Sequence, residues 1–271
     1  MQAKLRRPKL SRHTLIAMGV VLIILPAVMI ACGGLMQTAK LQVALFDRAL
    51  VLRLHYAVSL LMILGTLALF MTAFEQRKPQ ARELVVIATL AAIAVAGRAA
   101  FFMLPQFKPM CAIVIIAGVC FGGEAGFLVG AVSAFASNAI FGQGAHTPWQ
   151  MFCFGIVGFV EGLLARAGVL SKKRIPLCIY GGLATFLLYG GIINIGMMFM
   201  FEMPLTRDAI LAFYISAFPM DLIHAAATVF FLFVLSNVMI EKLERIKIKY
   251  GLICASRGQK VEGRGEKREM A

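Results

Sequence analysis

The sequence predicts an all-α integral membrane protein of eight spans, an N-terminal pair followed by six more. Three observations carry this. Hydrophobic residues fill 61% of the 271 positions, and the mean hydropathy is +0.86, far above the soluble average. Residues 14–38, 54–74, 125–160 and 175–201 contain no Asp, Glu, Lys or Arg. About 20 apolar residues let a helix cross a bilayer with every backbone group paired inside it. Finally, the net charge of +14 is sorted along the chain in the manner of a membrane protein, not of a nucleic-acid binder.

The spans are expected near 14–36, 52–74, 83–104, 109–123, 124–141, 148–165, 175–201 and 218–240. With the N-terminus inside, the cytoplasmic segments hold 21 Lys and Arg and the outer segments 5. That bias follows the positive-inside rule and makes both termini cytoplasmic. The chain then divides into an N-terminal extension (1–78), a core (79–240) and a basic tail (241–271). The tail carries 9 basic and 5 acidic residues among Gly and Ser, and reads as a solvated anchor. Its first stretch, "EKLERIKIK", suits anionic lipid headgroups.

The first span follows a basic start and ends in "MIACGG". It reads as an uncleaved anchor, the alternative being a lipoprotein signal with Cys32 modified. Six cysteines form no CxxC pair, so neither a zinc site nor a disulfide framework is indicated. No metal or cofactor motif stands out, and no G-x-x-x-x-G-K-[ST] loop for ATP.

The third span places Ala88, Ala92 and Ala96 four residues apart. Such a strip of small side chains lets another helix backbone come close, within the chain or on a partner. Arg98 lies ~9–10 Å below the outer end of that helix, at ~1.5 Å per residue. A charge at that depth faces a partner or an aqueous cavity, unless it snorkels to the headgroups. Phe101, Phe102 and a Pro-flanked turn with Lys108 follow.

The fourth span is short and turns tightly at Gly122-Gly123 into the fifth, which contributes Asn138 near its outer end. Next comes "FGQGAHTPWQMF", residues 141–152. Thr147, Pro148 and Gln150 have the spacing of a capping box opening the sixth span, with Trp149 at headgroup level. Capping does not explain Gly142-Gln143-Gly144 or His146, which fit a solvated turn or a ligand-binding one.

The seventh span holds Asn194 in "GGIINIG", and the eighth opens with "FPMDLIH". Pro219 as first helical residue puts Asp221 at the third position and His224 on the same face one turn deeper. Asp221 there is a charge on the helix dipole or a pocket residue, and His224 a satisfied core residue or a pocket one. Arg98, Asn138, Asp221 and His224 all fall in the outer parts of their spans and are expected to line one outward-opening pocket.

The stretches "GRAAFFMLPQFKP", "GFLVGAVSAFASNAIFGQGAHTPWQMF", "GFVEGLLA" and "PMDLIHAAATVFFLF" resemble the substrate-binding S component of energy-coupling factor (ECF) vitamin transporters, over about 80–240. The resemblance implies a protein of the bacterial plasma membrane that captures a vitamin on the outer side. Its outer loops, 104–109, 141–148 and 201–208 here, would close over the ligand. The substrate-binding set would be Arg98, Phe101, Phe102, Lys108, Asn138, Gln143, His146, Trp149, Gln150, Asn194, Asp221 and His224. Ala88-x-x-x-Ala92, extended by Ala96, matches the strip that docks a membrane coupling subunit, to which two cytoplasmic ATPases bind. The "FGQG…TPWQ" pattern is similar to members assigned to cobalamin or corrinoid precursors.

Three rivals remain. An autonomous secondary transporter would be expected to show inverted repeats, and none is visible. An intramembrane hydrolase built on Ser133 or Ser137 with His224 lacks a G-x-S-x-G elbow, and H-E-x-x-H is absent. The third is a ligand-free assembly protein.

Overall fold

A computed structural model describes residues 81–250 without a break, strands at 40–45 and 48–53, and scattered helical residues between 61 and 75. The first expected span, Cys32 and the tail beyond 250 lie outside the described residues.

The all-α expectation needs one correction. β1 (Lys40–Leu45) and β2 (Arg48–Arg53) pair antiparallel, Lys40 opposite Arg53 and Leu45 opposite Arg48. Residues 40–45 and 48–53 are therefore paired strands and not a plain connector, and residues 52–53, expected in the second span, belong to β2. The signal was present in "KLQVAL" and "RALVLR", two short aliphatic alternations separated by two residues.

Six expected core spans appear as α1 (Ala81–Ala100), α2 (Met110–Phe121), α3 (Gly123–Phe141), α4 (His146–Ala167), a column of three pieces, and α7. The column runs α5 (Arg174–Leu183), a π-helical segment (Ala184–Gly190) and α6 (Gly191–Met200). α7 spans Arg207–Tyr250. Five helices among the described residues are long and apolar enough to cross a membrane: 81–100, 123–141, 146–167, 174–200 and 207–250.

α2 is too short to cross, and all twelve of its residues are buried in protein. Burial inside the bundle is what makes a short helix tolerable at membrane depth. Gly122, at φ 99°, turns the chain from α2 into α3, a conformation closed to most side chains. α3 and α4 touch backbone to backbone: a Cβ on Gly126 would lie 2.6 Å from the carbonyl oxygen of Gly158. Small residues make such contact possible where lipid supplies no hydrophobic drive. Phe74, from the second N-terminal span, is buried in the same core cluster.

α7 has 44 residues, about 66 Å at ~1.5 Å per residue, against a hydrocarbon layer of about 30 Å. Its start corrects the expectation built on Pro219, which lies inside the helix. The cap is Thr206, whose Oγ1 accepts from the Ala209 amide at 3.3 Å. A side-chain cap opens the helix earlier than a proline that merely tolerates an N-terminal position. α7 also runs past 240, so residues 241–250 of the basic tail are helical.

At that end Lys247 is only 5% exposed. Its Nζ donates to the Cys120 carbonyl at 2.6 Å and to Glu244 at 3.1 Å. Lys172 reaches the same carboxylate at 2.5 Å. The end of α7 is thereby tied to α2 and to the α4–α5 connection.

Candidate ligand site

The connections 101–109, 142–145 and 201–206 lie at the opposite end of the bundle from Lys247, and most of the singled-out polar residues gather beneath them. Asn138 is the hub. It is fully buried on α3, with Oδ1 accepting from Arg98 Nη1 at 2.8 Å. Its Nδ2 donates to Thr147 Oγ1 at 3.1 Å and to Gln150 Oε1 at 2.8 Å. Arg98 also donates to Ser137 Oγ at 2.5 Å and lies 5.1 Å from the Phe141 ring centroid. The guanidinium thus turns into the bundle instead of snorkelling, and one amide joins α1, α3 and α4.

This network replaces the expected capping box. α4 begins at His146 with Ala145 at its cap position and no side-chain capping bond. Thr147 Oγ1 and Gln150 Oε1 both face the Asn138 amide. A buried amide must be satisfied, whereas a frayed helix start can use water. Thr147 Oγ1 also accepts from the Gly144 amide at 3.2 Å. Gln143 is exposed and donates to the Phe135 carbonyl at 2.9 Å, so it folds back on α3. His146 is half-buried.

Lys108 is half-buried in the α1–α2 connection. Burial first, and then the Arg98 guanidinium, hold its ammonium below the usual lysine range. Among the described residues neither Arg98 nor Lys108 has a carboxylate partner.

Between α6 and α7, Asn194 Nδ2 donates to Asp221 Oδ2 at 2.7 Å. Gly190 permits this: a Cβ there would lie 3.0 Å from Asp221 Cγ. His224 is buried edge-on to Tyr189, ring centroids 4.7 Å apart, with Phe154 at 6.2 Å. Neither Ser133 nor Ser137 bonds to it; their hydroxyls donate to the carbonyls of Val129 and Ala134.

The aromatic residues divide. Phe101 packs with Phe107 and Phe231, centroids 6.2 and 5.0 Å away, pinning the α1–α2 connection to α7. Phe102 is exposed and stacks on Phe141 at 5.0 Å. Trp149 is 6% exposed and stacked on Phe199, so its ring is buried within the bundle. Sequence reasoning gave Ser137 only the role of a nucleophile and Thr147 only that of a cap, and missed Phe107, Tyr189 and Tyr214. Tyr189 had a signal, a phenol beside the Gly190-Gly191 pair inside an apolar span.

Ala88, Ala92 and Ala96 are all exposed, so no described residue packs over their strip.

Residues 82–236, more than half of the chain, match the family described as ECF transporter, substrate-specific component. The chain belongs to this family. UPF0397 proteins are among the relatives of this substrate-specific component. One from Aliivibrio salmonicida is 32% identical over 105 residues, 37% of this chain and 55% of the relative. Another, from Vibrio atlanticus, is 30% identical over 123 residues, 43% and 67% of the two chains. A third, from Aliivibrio fischeri, is 33% identical over 100 residues, 35% and 52%. The chain spans about half to two thirds of the length of the curated relatives it matches. No solved structure matches it.

Proposed function

We propose that this substrate-specific component captures a vitamin or related micronutrient and delivers it through a membrane coupling subunit powered by two cytoplasmic ATPases. The supporting observation is the pair of half-buried cations, Arg98 and Lys108, that have no carboxylate partner among the described residues. Charges at such a position call for a counter-charge, and a ligand with an anionic group supplies it. His146 and Gln150 flank that pole, while Asn194, Asp221 and His224 form the facing wall. The connections 101–109, 142–145 and 201–206 would gate the site.

In this reading the gated end faces outward, both termini are cytoplasmic, and eight spans cross a bacterial plasma membrane. The extension 1–78 stands outside the substrate-binding core of 79–240. The exposed Ala88, Ala92 and Ala96 offer the coupling subunit a face on which helix backbones can approach. Cobalamin or a corrinoid precursor is the first ligand to test, on the sequence pattern of residues 141–150.

The test is mass spectrometry of small molecules released from the full chain, purified alone from vitamin-replete cells. A stoichiometric anionic vitamin supports capture, and Arg98→Ala should then lower its affinity by about 10- to 100-fold, the worth of a charge-assisted hydrogen bond. Equal retention by wild type and Arg98→Ala would remove Arg98 from the pocket. Uptake persisting without any ATPase would instead favour an autonomous transporter.

A further inference from the structure

A groove of about 410 Å³ opens between the π-helical segment and the first half of α7. Its walls are apolar and aromatic: Phe186 and Leu187 on one side, Ile215 and Phe218 on the other, with Tyr214 and Asp221 at the base. Leu187, Ile215 and Phe218 are exposed, so the groove faces sideways from the bundle. Its volume falls within the range of small-molecule sites.

The polar atoms in this groove share one character. Asn194 engages Asp221 Oδ2, and no described side chain donates to Oδ1. The Tyr214 hydroxyl uses its proton on the Gly191 carbonyl at 2.5 Å, leaving its oxygen as an acceptor. Phe186 and Phe218 meet edge-on at 5.6 Å above them. Among the described residues no cation pairs with Asp221, although a lone carboxylate on a membrane-spanning helix is costly. The π-helical turns matter here. They widen the column at 184–190 and bring Gly190 directly against the carboxylate, and such insertions concentrate at functional sites.

A carboxylate, a phenol oxygen and aromatic rings together favour an ammonium group on an apolar body. We infer that this groove is a binding site for an organic cation, its protonated amine or quaternary ammonium on Asp221 and its apolar part between Leu187 and Ile215. Asp221 is shared with the proposed capture site, but the groove itself is formed by the π-helical segment and α7 and stands whether or not the capture reading holds.

The experiment titrates phenethylammonium, and its neutral counterpart 2-phenylethanol, into the full chain in phosphatidylglycerol nanodiscs, with empty discs subtracted. The cation should bind at least about tenfold tighter than the alcohol. Asp221→Asn should abolish that preference, and Leu187→Trp, which fills the groove from an exposed position, should block both. Equal affinities for cation and alcohol overturn the inference. So does unchanged cation binding in Leu187→Trp, which decides the matter even if Asp221→Asn misfolds. Repeating the titration with phosphatidylethanolamine in the discs separates the two sources of such a cation. Competition assigns the groove to a lipid ammonium, and undiminished binding assigns it to a free one. Vitamin retention, scored on the same wild-type preparation, reports on the capture reading separately.

Discussion

Asn138 Oδ1 accepts from Arg98 Nη1 at 2.8 Å, and with the Arg98–Ser137 bond this contact ties α1 to α3 at the end of the bundle opposite Lys247. The amide's other half holds Thr147 and Gln150 on α4. Three helices therefore share one fully buried side chain, and the cation of the proposed pocket depends on it for position.

Asn138→Leu should accordingly destabilise the bundle by about 2–4 kcal/mol, since it removes three buried hydrogen bonds, one of them to a charge, and leaves Gln150 Oε1 without its donor. Asn138→Asp keeps the acceptor for Arg98 but loses both donors, so it should fall in between. Thermal midpoints of the purified variants in one detergent give the order. A wild-type midpoint for Asn138→Leu would mean that Arg98 finds water or lipid instead.

Gly196→Ala makes a second prediction. The added Cβ would lie 2.5 Å from Trp149 Cδ2, so the indole must shift away from Phe199. Overpacking of this kind costs about 1–3 kcal/mol. Trp149 is the chain's only tryptophan, so its emission should move to longer wavelength as the ring gains solvent. An unchanged spectrum would show that α6 yields instead of the ring.

The span pattern was legible because it rests on bulk properties, long uncharged runs and glycine turns, which a bilayer enforces without regard to detail. Gly122-Gly123 is a case where one dipeptide settled a connection. Local end signals served less well. Thr147 and Gln150 carry a capping pattern, yet tertiary demand from Asn138, nine residues before Thr147, takes both side chains. Pro219 looked like a helix start, and Thr206 opens the helix instead. The burial of Trp149 was not legible either, because it depends on the room that Gly196, 47 residues further on, leaves for the ring. The Lys247–Glu244–Lys172 ties and the π-helical turns leave no local pattern, because they arise from how distant segments meet.

Ala92→Trp tests the exposed strip on α1. Because Ala88, Ala92 and Ala96 face out of the bundle, a bulky side chain there displaces nothing within the described chain. The variant should melt as wild type and retain its ligand, but fail to co-purify with a coupling subunit. Recovery of the full complex would move docking to another face. A large fall in melting point would instead mean that the strip is covered by a segment outside the described residues.

Lys108 gives the sharpest pH test, because stability and capture should move in opposite directions. Burial and the nearby Arg98 guanidinium hold its ammonium below the usual lysine value of 10.5, so the unfolded chain binds the proton more tightly than the folded one. Stability then rises with pH between the depressed value and 10.5, since folding favours the neutral amine. An anionic ligand requires the ammonium, so its affinity should fall across the same interval. Lys108→Arg stays charged throughout and should flatten the affinity profile, while Lys108→Met should bind weakly at every pH. Melting curves of the empty protein and ligand titrations over that interval measure the two trends. If affinity and stability fall together in the wild type, unfolding alone accounts for the loss and Lys108 carries no ligand charge. If affinity falls while stability holds or rises, the ammonium meets the ligand's anionic group directly.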